Sequence, residues 1–441
     1  MYDLYIDLLT QFIKFKSIAT DPSYNPEIMN VVEWLEDLFE AHDFRVKVID
    51  GYSNPIILAT YCPKSKTKLQ TCLVYGHYDV QPANASEGWN SDPFTLDQKN
   101  GRLYARGVAD NKGQTLIHIV AIFDLIKKNE LGYNIIYLLE GGEEIGSPNI
   151  GEFIKDYKNE LNGDFCIISD GTFIGNNPVI EAGFRGFINL TLAIKTSSKD
   201  LHSGIFGGAA PNASHELTKF ISTLFSKDNK IAIKNFYNDV DIIEEKILQN
   251  NKNIPFSFKE YRRTSGTKAL VTRGKYDFYS QTGLQPTIEI TGIQSGYTKE
   301  GYRNSIPGKA VAKINFRLVK NQKPQKIIKL FKDHLKKNLP NYVDYSLDIS
   351  TACEGVKLDI NNKYVEKAKQ LLRQVWKKHP VYKYVGGGLA TVTTIDNILK
   401  VPQLLIPLAN EDCNPHGANE NFVITQIKKS MEFSRKFFNL D

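Results

Sequence analysis

The segment Leu73-Val74-Tyr75-Gly76-His77-Tyr78-Asp79-Val80 reads as a buried strand ending in His-x-Asp. Residues two apart on a strand point to the same side. His77 and Asp79 can therefore face one site, where a carboxylate would hold an imidazole in one tautomer for a metal. Four more ligand-type positions follow at the ends of other apolar runs. Asp110, in Arg106-Gly107-Val108-Ala109-Asp110-Asn111-Lys112-Gly113, stands before a helix. It can cap that helix, or bridge two cations with its two oxygens. Glu143 and Glu144 follow Leu139-Glu140-Gly141-Gly142. Adjacent glutamates at a buried strand end repel each other unless cations or a shared proton offset the charge. One can bind metal while the other acts as general base. Asp170 follows Ile167-Ile168-Ser169, and His416 lies in Asn414-Pro415-His416-Gly417 before the last helix. Each residue alone has an ordinary structural reading as a cap or turn. Together they do not, because ligand sites of open α/β sheets gather beyond the carboxyl ends of the strands. Two imidazoles and three carboxylates suit a pair of Zn²⁺ ions, with Mn²⁺ as the harder alternative. Such a pair activates water and polarises a carbonyl oxygen, so the constellation points to a hydrolase.

These positions need strands to carry them. Helical periodicity covers 4–15, 27–42 and 111–128, and strand patterns cover 44–49, 56–61, 72–78, 135–139 and 165–169. The later strands are nearly all apolar, as in central strands covered on both faces. This predicts an α/β domain with a mostly parallel central sheet. Near Gly183 the character changes. Segments 188–196, 287–293, 310–318 and 345–350 read as strands, and 212–225 and 324–336 as amphipathic helices. That is a smaller α+β unit with helices on one face. Segment 229–273 is polar and weakly periodic, and is expected to be an insertion or a long irregular excursion. From about 361 helices return, then a Gly386-Gly387-Gly388 turn and a strand at 404–408. The simplest arrangement is one domain inserted into another: a catalytic domain over 1–183 and 353–441, and an inserted domain over 184–352.

The 441 residues are enough for two cores. Composition is that of a globular protein, 41% hydrophobic and 24% charged. The net charge of +6 is spread over the chain, and pairs such as Lys336-Lys337 and Lys377-Lys378 lie on helix faces. They read as solvated faces, which excludes a nucleic-acid footprint. No apolar run approaches the roughly 20 residues that span a bilayer. Met1-Tyr2-Asp3-Leu4 lacks a basic n-region, so no membrane partner and a cytoplasmic location are expected. The five cysteines are scattered without a C-x-x-C pair, and are expected to be buried, reduced thiols.

Six pieces of the chain, in order, resemble the metallopeptidase family M20, in its carnosinase-like, cytosolic-nonspecific-dipeptidase branch. They are Gly76-His77-Tyr78-Asp79-Val80-Gln81-Pro82, Gly107-Val108-Ala109-Asp110-Asn111-Lys112-Gly113, Glu140-Gly141-Gly142-Glu143-Glu144-Ile145-Gly146-Ser147, Ser169-Asp170, Asp200-Leu201-His202-Ser203-Gly204 and His416-Gly417-Ala418-Asn419-Glu420. The resemblance implies that Asp110 bridges two divalent metal ions, that His77 and Asp170 complete one site, and that Glu144 and His416 complete the other. It implies Glu143 as general base and proton donor, Asp79 as the residue orienting His77, and a cis peptide between Asp110 and Asn111. It implies a two-layered catalytic domain interrupted by a lid and dimerisation domain. In a homodimer His202 would reach the partner's site and stabilise an oxyanion. Arg317 would hold the substrate carboxylate, and Asn304 would add a polar contact. One departure stands out: where relatives carry Gly-Gly-Ser, this chain has Gly387-Gly388, so Gly388 replaces a serine. The expected substrate is a dipeptide or other short peptide. The alternatives are an N-acyl amino acid, or succinyl-diaminopimelate, cleaved at the same centre. A binding protein that has lost catalysis would be expected to lose Glu143 or a ligand, and none is lost here.

Overall fold

Strand Thr71–His77 lies in the middle of the large sheet, and all but its first residue are buried. In the computed structural model, which describes residues 1–63, 68–272, 274 and 276–440, it pairs in parallel with Asn134–Glu140 on one side and Phe165–Ile168 on the other. Gln403–Leu405 continues the parallel core beside Phe165–Ile168. Towards one edge Ile56–Tyr61 and Arg45–Ile49 run antiparallel; at the other, Val179–Phe184 does. Residues of the parallel strands are buried almost without a break, whereas Arg45–Ile49 alternates. Strands covered on both faces leave no room for a polar side. The covering helices include Lys112–Lys127, which packs on Tyr2–Lys14 and Ile424–Phe438. It is buried nearly all round, as a helix between a sheet and other helices must be. The core is aromatic-rich, with Phe12, Phe39, Phe123 and Tyr137 all buried. Each such side chain contributes about 1.5–3 kcal/mol by leaving water.

Parallel neighbours end at one sheet edge. His77 and Glu140 are the last residues of paired strands, and Asp170 follows Phe165–Ile168 by two residues. The sheet therefore brings together side chains far apart in the chain.

The chain divides into two units. The first comprises Met1–Ala182, Leu358–Lys383 and Leu389–Asp441; the second comprises Gly183–Lys357 and Tyr384–Gly388. The sequence pattern predicts an inserted domain over 184–352, with the glycine turn in the returning segment. The turn instead goes with the second unit, because Arg185 holds it: its backbone N–H donates to the Val385 carbonyl and its Nε to the Gly386 carbonyl at 3.0 Å.

The second unit is built on a four-stranded antiparallel sheet in the order Thr287–Ser295, Lys309–Leu318, Gly186–Lys195, Asp344–Cys353. Burial alternates along Gly186–Lys195 and Lys309–Leu318, the mark of a sheet with one covered face. Helices Ala213–Thr223 and Pro324–Asn338 supply Leu217, Phe220, Ile327 and Phe331 to the core on that face. Segment 229–273, whose last residue lies outside the described residues, is not wholly irregular. It contains helices Glu245–Asn253 and Phe258–Ser265. They bury at most two residues each, so little apolar periodicity marks them. All five cysteines are thiols; Cys72, Cys166 and Cys413 are buried as expected, but Cys62 is exposed and Cys353 half-buried. No helix among the described residues is long and apolar enough to cross a membrane.

Candidate metal centre

His77 ends its strand fully buried, and its ring is held from two directions. Its Nδ1 lies 3.1 Å from the Asp79 carbonyl and 3.2 Å from the Asp79 Oδ1. That leaves Nε2, 3.3 Å from Asp110 Oδ1 and 3.6 Å from Asp170 Oδ2. On the other side of Asp110, His416 Nε2 lies 3.1 Å from Asp110 Oδ2 and 3.2 Å from Glu144 Oε2. The two oxygens of Asp110 thus face two different imidazoles. His77, Asp110 and Asp170 form one group of donor atoms, all within 4.8 Å of one another; Asp110, Glu144 and His416 form a second. Glu143 adjoins the second group, in the short 3₁₀ turn Glu143–Ile145.

Backbone groups hold these side chains in place. The Asp79 carboxylate accepts from the N–H groups of Glu143 (3.3 Å) and Glu144 (3.0 Å), so it fixes the glutamate turn as well as the imidazole. The Asp110–Asn111 peptide is cis. Asn111 donates to the Ser169 carbonyl at 2.7 Å, tying the Asp110 loop to the Asp170 strand end. His416 has φ +61°, and Asn414 and Asn419 are also left-handed. A non-glycine residue seldom adopts that conformation outside tightly determined loops.

Sequence reasoning misses two supporting residues. Glu420 is fully buried, and accepts from the N–H groups of Gly107, Ala109 and Asp110 and from Arg106 Nη1, at 2.8–3.0 Å. It moulds the loop that presents Asp110 from 310 residues away. Gln81 Nε2 donates to Glu144 Oε2 at 2.7 Å. The only sequence signal for either is its place in the family-like pieces around His77 and His416, since neither stands where spacing suggests a ligand.

The remaining expected residues belong to the second unit. His202 pairs with Ser305 across a two-residue ladder, and the N–H of Ser203 donates to the Asn304 carbonyl at 3.1 Å, so His202 and Asn304 are neighbours. His202 is exposed, and its Nδ1 accepts from the Gly204 N–H at 3.0 Å. Arg317 lies on Lys309–Leu318, opposite Phe187. Gly388 ends the short stretch Tyr384–Gly388.

Residues 73–439 match the family model described as Peptidase family M20/M25/M40. The chain belongs to the M20 peptidases. It is 30% identical to the Cys-Gly metallodipeptidase DUG1 of Candida albicans, over 96% of this chain and 91% of that one. It is 27% identical to the human Beta-Ala-His dipeptidase, over 95% of this chain and 86% of that one. Among solved structures, the M20 family metallo-carboxypeptidase Sso-CP2 of Sulfolobus solfataricus superposes with a TM-score of 0.89 at 28% identity, covering 99% of this chain and 98% of that one. The chain is accordingly an enzyme, an M20-type metallopeptidase, and a more distant M20 structure, that of the Bacillus subtilis YXEP protein, is of a dinuclear metal binding peptidase.

The donors of this M20 chain fit such a centre. His77 Nε2 is buried without a hydrogen-bond partner among the described residues. Burial pushes the Asp170 carboxyl up to about 7, with the Asp110 charge adding to it, and burial also holds Glu143 well above the usual carboxylate range. Burial acts the same way on Asp110, but the adjacent His416 and His77 imidazoles outweigh it and leave that carboxyl low. Hydrogen bonds to Asp110 and Glu144 raise His416 to about 10. Four carboxyl groups crowded around two imidazoles carry a negative charge that divalent cations would offset.

Proposed function

We propose that this M20 enzyme is a two-metal dipeptidase that cleaves the amide bond of dipeptides with a free C-terminal carboxylate. The observation that carries the reading is Asp110, one carboxylate shared between two His–carboxylate groups. His77 and Asp170 would hold one cation, Glu144 and His416 the other, and Asp110 both, with Zn²⁺ the expected metal and Mn²⁺ the alternative. When bound, the pair supplies Lewis acidity toward the scissile carbonyl and makes water nucleophilic near neutral pH. Glu143, kept off the ligand set by the turn that Asp79 fixes, takes the proton from the attacking water. It then delivers that proton to the departing amine nitrogen as the C–N bond breaks. Asp79 keeps Nε2 of His77 as the ligating nitrogen by occupying Nδ1. Arg317 binds the substrate carboxylate, the Gly388 backbone adds to that subsite, and Asn304 contacts either the oxyanion or the carboxylate. The named activities of the DUG1 and Beta-Ala-His relatives, both dipeptidases, support dipeptides over N-acyl amino acids.

We place the enzyme in the cytoplasm as a homodimer formed through the second unit, with His202 stabilising the oxyanion in its neighbour's site. A two-fold interface is self-complementary, so each subunit gives one histidine and receives one. Mixing His202→Ala with Glu143→Gln subunits yields heterodimers with one doubly defective and one intact site. Activity should return on mixing; heterodimers that stay dead would place His202 in its own subunit's chemistry. The substrate class is tested with metal-loaded enzyme on a panel of dipeptides and N-acetyl and N-succinyl amino acids, with Zn²⁺ or Mn²⁺. Dipeptides should be turned over fastest, and faster turnover of the acyl amino acids would make the enzyme a deacylase.

A further inference from the structure

Arg317 is a half-buried guanidinium that makes no hydrogen bond or ion pair to another described residue. Burying a cation without a partner is unfavourable, so what holds it open for an anion matters. It borders a cavity of about 700 Å³ lined also by Arg185, Gln281, Thr282, Glu289 and Asn315. The second arginine there is already committed: Arg185 Nε donates to the Gly386 carbonyl at 3.0 Å and Nη1 to the Gln285 carbonyl at 2.9 Å. The Arg317 guanidinium lies over the ring of Phe187. The two are direct cross-strand partners, and the guanidinium carbon lies 5.9 Å from the ring centroid. That ring is itself confined. A Cβ added to Gly388 would stand 2.7 Å from Phe187 Cδ1, 3.0 Å from Cε1 and 2.9 Å from the Arg185 carbonyl oxygen. The glycine turn is thus packed directly on the ring, and its backbone is tied to Arg185, two residues before Phe187 in the chain.

We infer that Phe187, wedged against the side-chain-free Gly388, is the residue that positions Arg317 for the substrate carboxylate. The inference rests on the reading of Arg317 as the carboxylate anchor. A π face orients a guanidinium without using any of its five donors, so the fork stays whole for a bidentate carboxylate. A carboxylate partner would do the opposite and neutralise it. The Phe187 ring occupies the space where a side chain at 388 would reach, so at this subsite the glycine turn offers backbone alone and recognition falls more heavily on Arg317.

The test uses metal-loaded enzyme, a dipeptide and its C-terminal amide. Phe187→Leu keeps an apolar filler and removes the π face; Phe187→Tyr keeps the face. Phe187→Leu should raise KM for the free dipeptide about three- to tenfold with kcat nearly unchanged. It should leave the amide unaffected and add nothing once Arg317→Met is present. Phe187→Tyr should behave like the native enzyme. A Phe187→Leu loss that is equal on both substrates, or that multiplies fully with Arg317→Met, would overturn the inference and make the ring ordinary packing. If Phe187→Leu melts far below the native protein, Phe187→Met takes its place against Phe187→Tyr, on the same two substrates and with the same criteria. A native enzyme that treats acid and amide alike, with Arg317→Met harmless, would instead remove the carboxylate anchor itself. That outcome is distinct because it needs no change at Phe187.

Discussion

The candidate metal ligands of the first unit and the proposed substrate-contacting residues of the second are held in opposite ways. Around the candidate ligands, Asp79 and Glu420 commit their oxygens to main-chain N–H groups, and Asn111 ties the Asp110 loop to the next strand end. In the second unit Arg317 leans on a ring, and the exposed His202 side chain bonds to its own turn. Chemistry demands reacting groups fixed to a fraction of an ångström, since misplacement lowers the rate directly. Recognition of a small carboxylate tolerates more freedom, because the ligand completes the geometry. Substitutions in the first region should therefore fall on kcat or metal content, and those at the proposed carboxylate anchor Arg317 on KM.

The strongest break of this contrast is at Glu143. Glu143→Gln should cut kcat about 10²–10⁴-fold with metal content unchanged; near-native turnover of the metal-loaded variant would assign the base elsewhere. Next comes Glu420, which bonds to the backbone of the Asp110 loop and so shapes it. Glu420→Gln should weaken metal affinity or activity by about 10–100-fold, measured by titrating metal into the apo enzyme. Unchanged affinity would show that the loop holds its form without this carboxylate. A smaller change is expected at Arg317. Arg317→Met should raise KM for a free-carboxylate dipeptide about tenfold with metal content native; a fall confined to kcat would erase the distinction between the two regions.

The mildest test sharpens the contrast through stability. His118 lies buried in the first unit between Ser434 and Ser169, both at 2.8 Å, and burial lowers its pKa to about 3. The native state therefore keeps it neutral while the unfolded chain protonates it near pH 6.5. Its contribution is present above that pH and is lost progressively as pH falls from about 6.5 toward 3. Trp34, Trp89 and Trp376, the only tryptophans, all belong to the first unit. Tryptophan fluorescence in urea should thus report a midpoint that drops between pH 7.5 and 5, and drops less in His118→Gln. An equal drop in both would assign the acid sensitivity to other groups.

Much of the first unit is legible in the sequence because its elements are strongly patterned. Ile56–Tyr61 and Phe165–Ile168 are runs of apolar residues that suit a buried strand. The helices Glu245–Asn253 and Phe258–Ser265 are not, since too few of their residues are buried to leave a period. The same limit hides Tyr384–Gly388, which joins the second unit because of Arg185 and not because of any pattern of its own.

By itself the sequence determined which residue types follow apolar runs, and hence that His77, Asp110, Glu144, Asp170 and His416 were candidates for one centre. Local spacing and apolar runs are properties of neighbouring residues, so a chain carries them openly. Only the tertiary structure decided that Glu420 shapes the Asp110 loop, that Asp79 grips both an imidazole and the glutamate turn, and that Phe187 is caught between Gly388 and Arg317. Most of those contacts join residues tens to hundreds of positions apart. They exist because a parallel sheet gathers distant strand ends at one edge and an antiparallel ladder sets distant residues face to face.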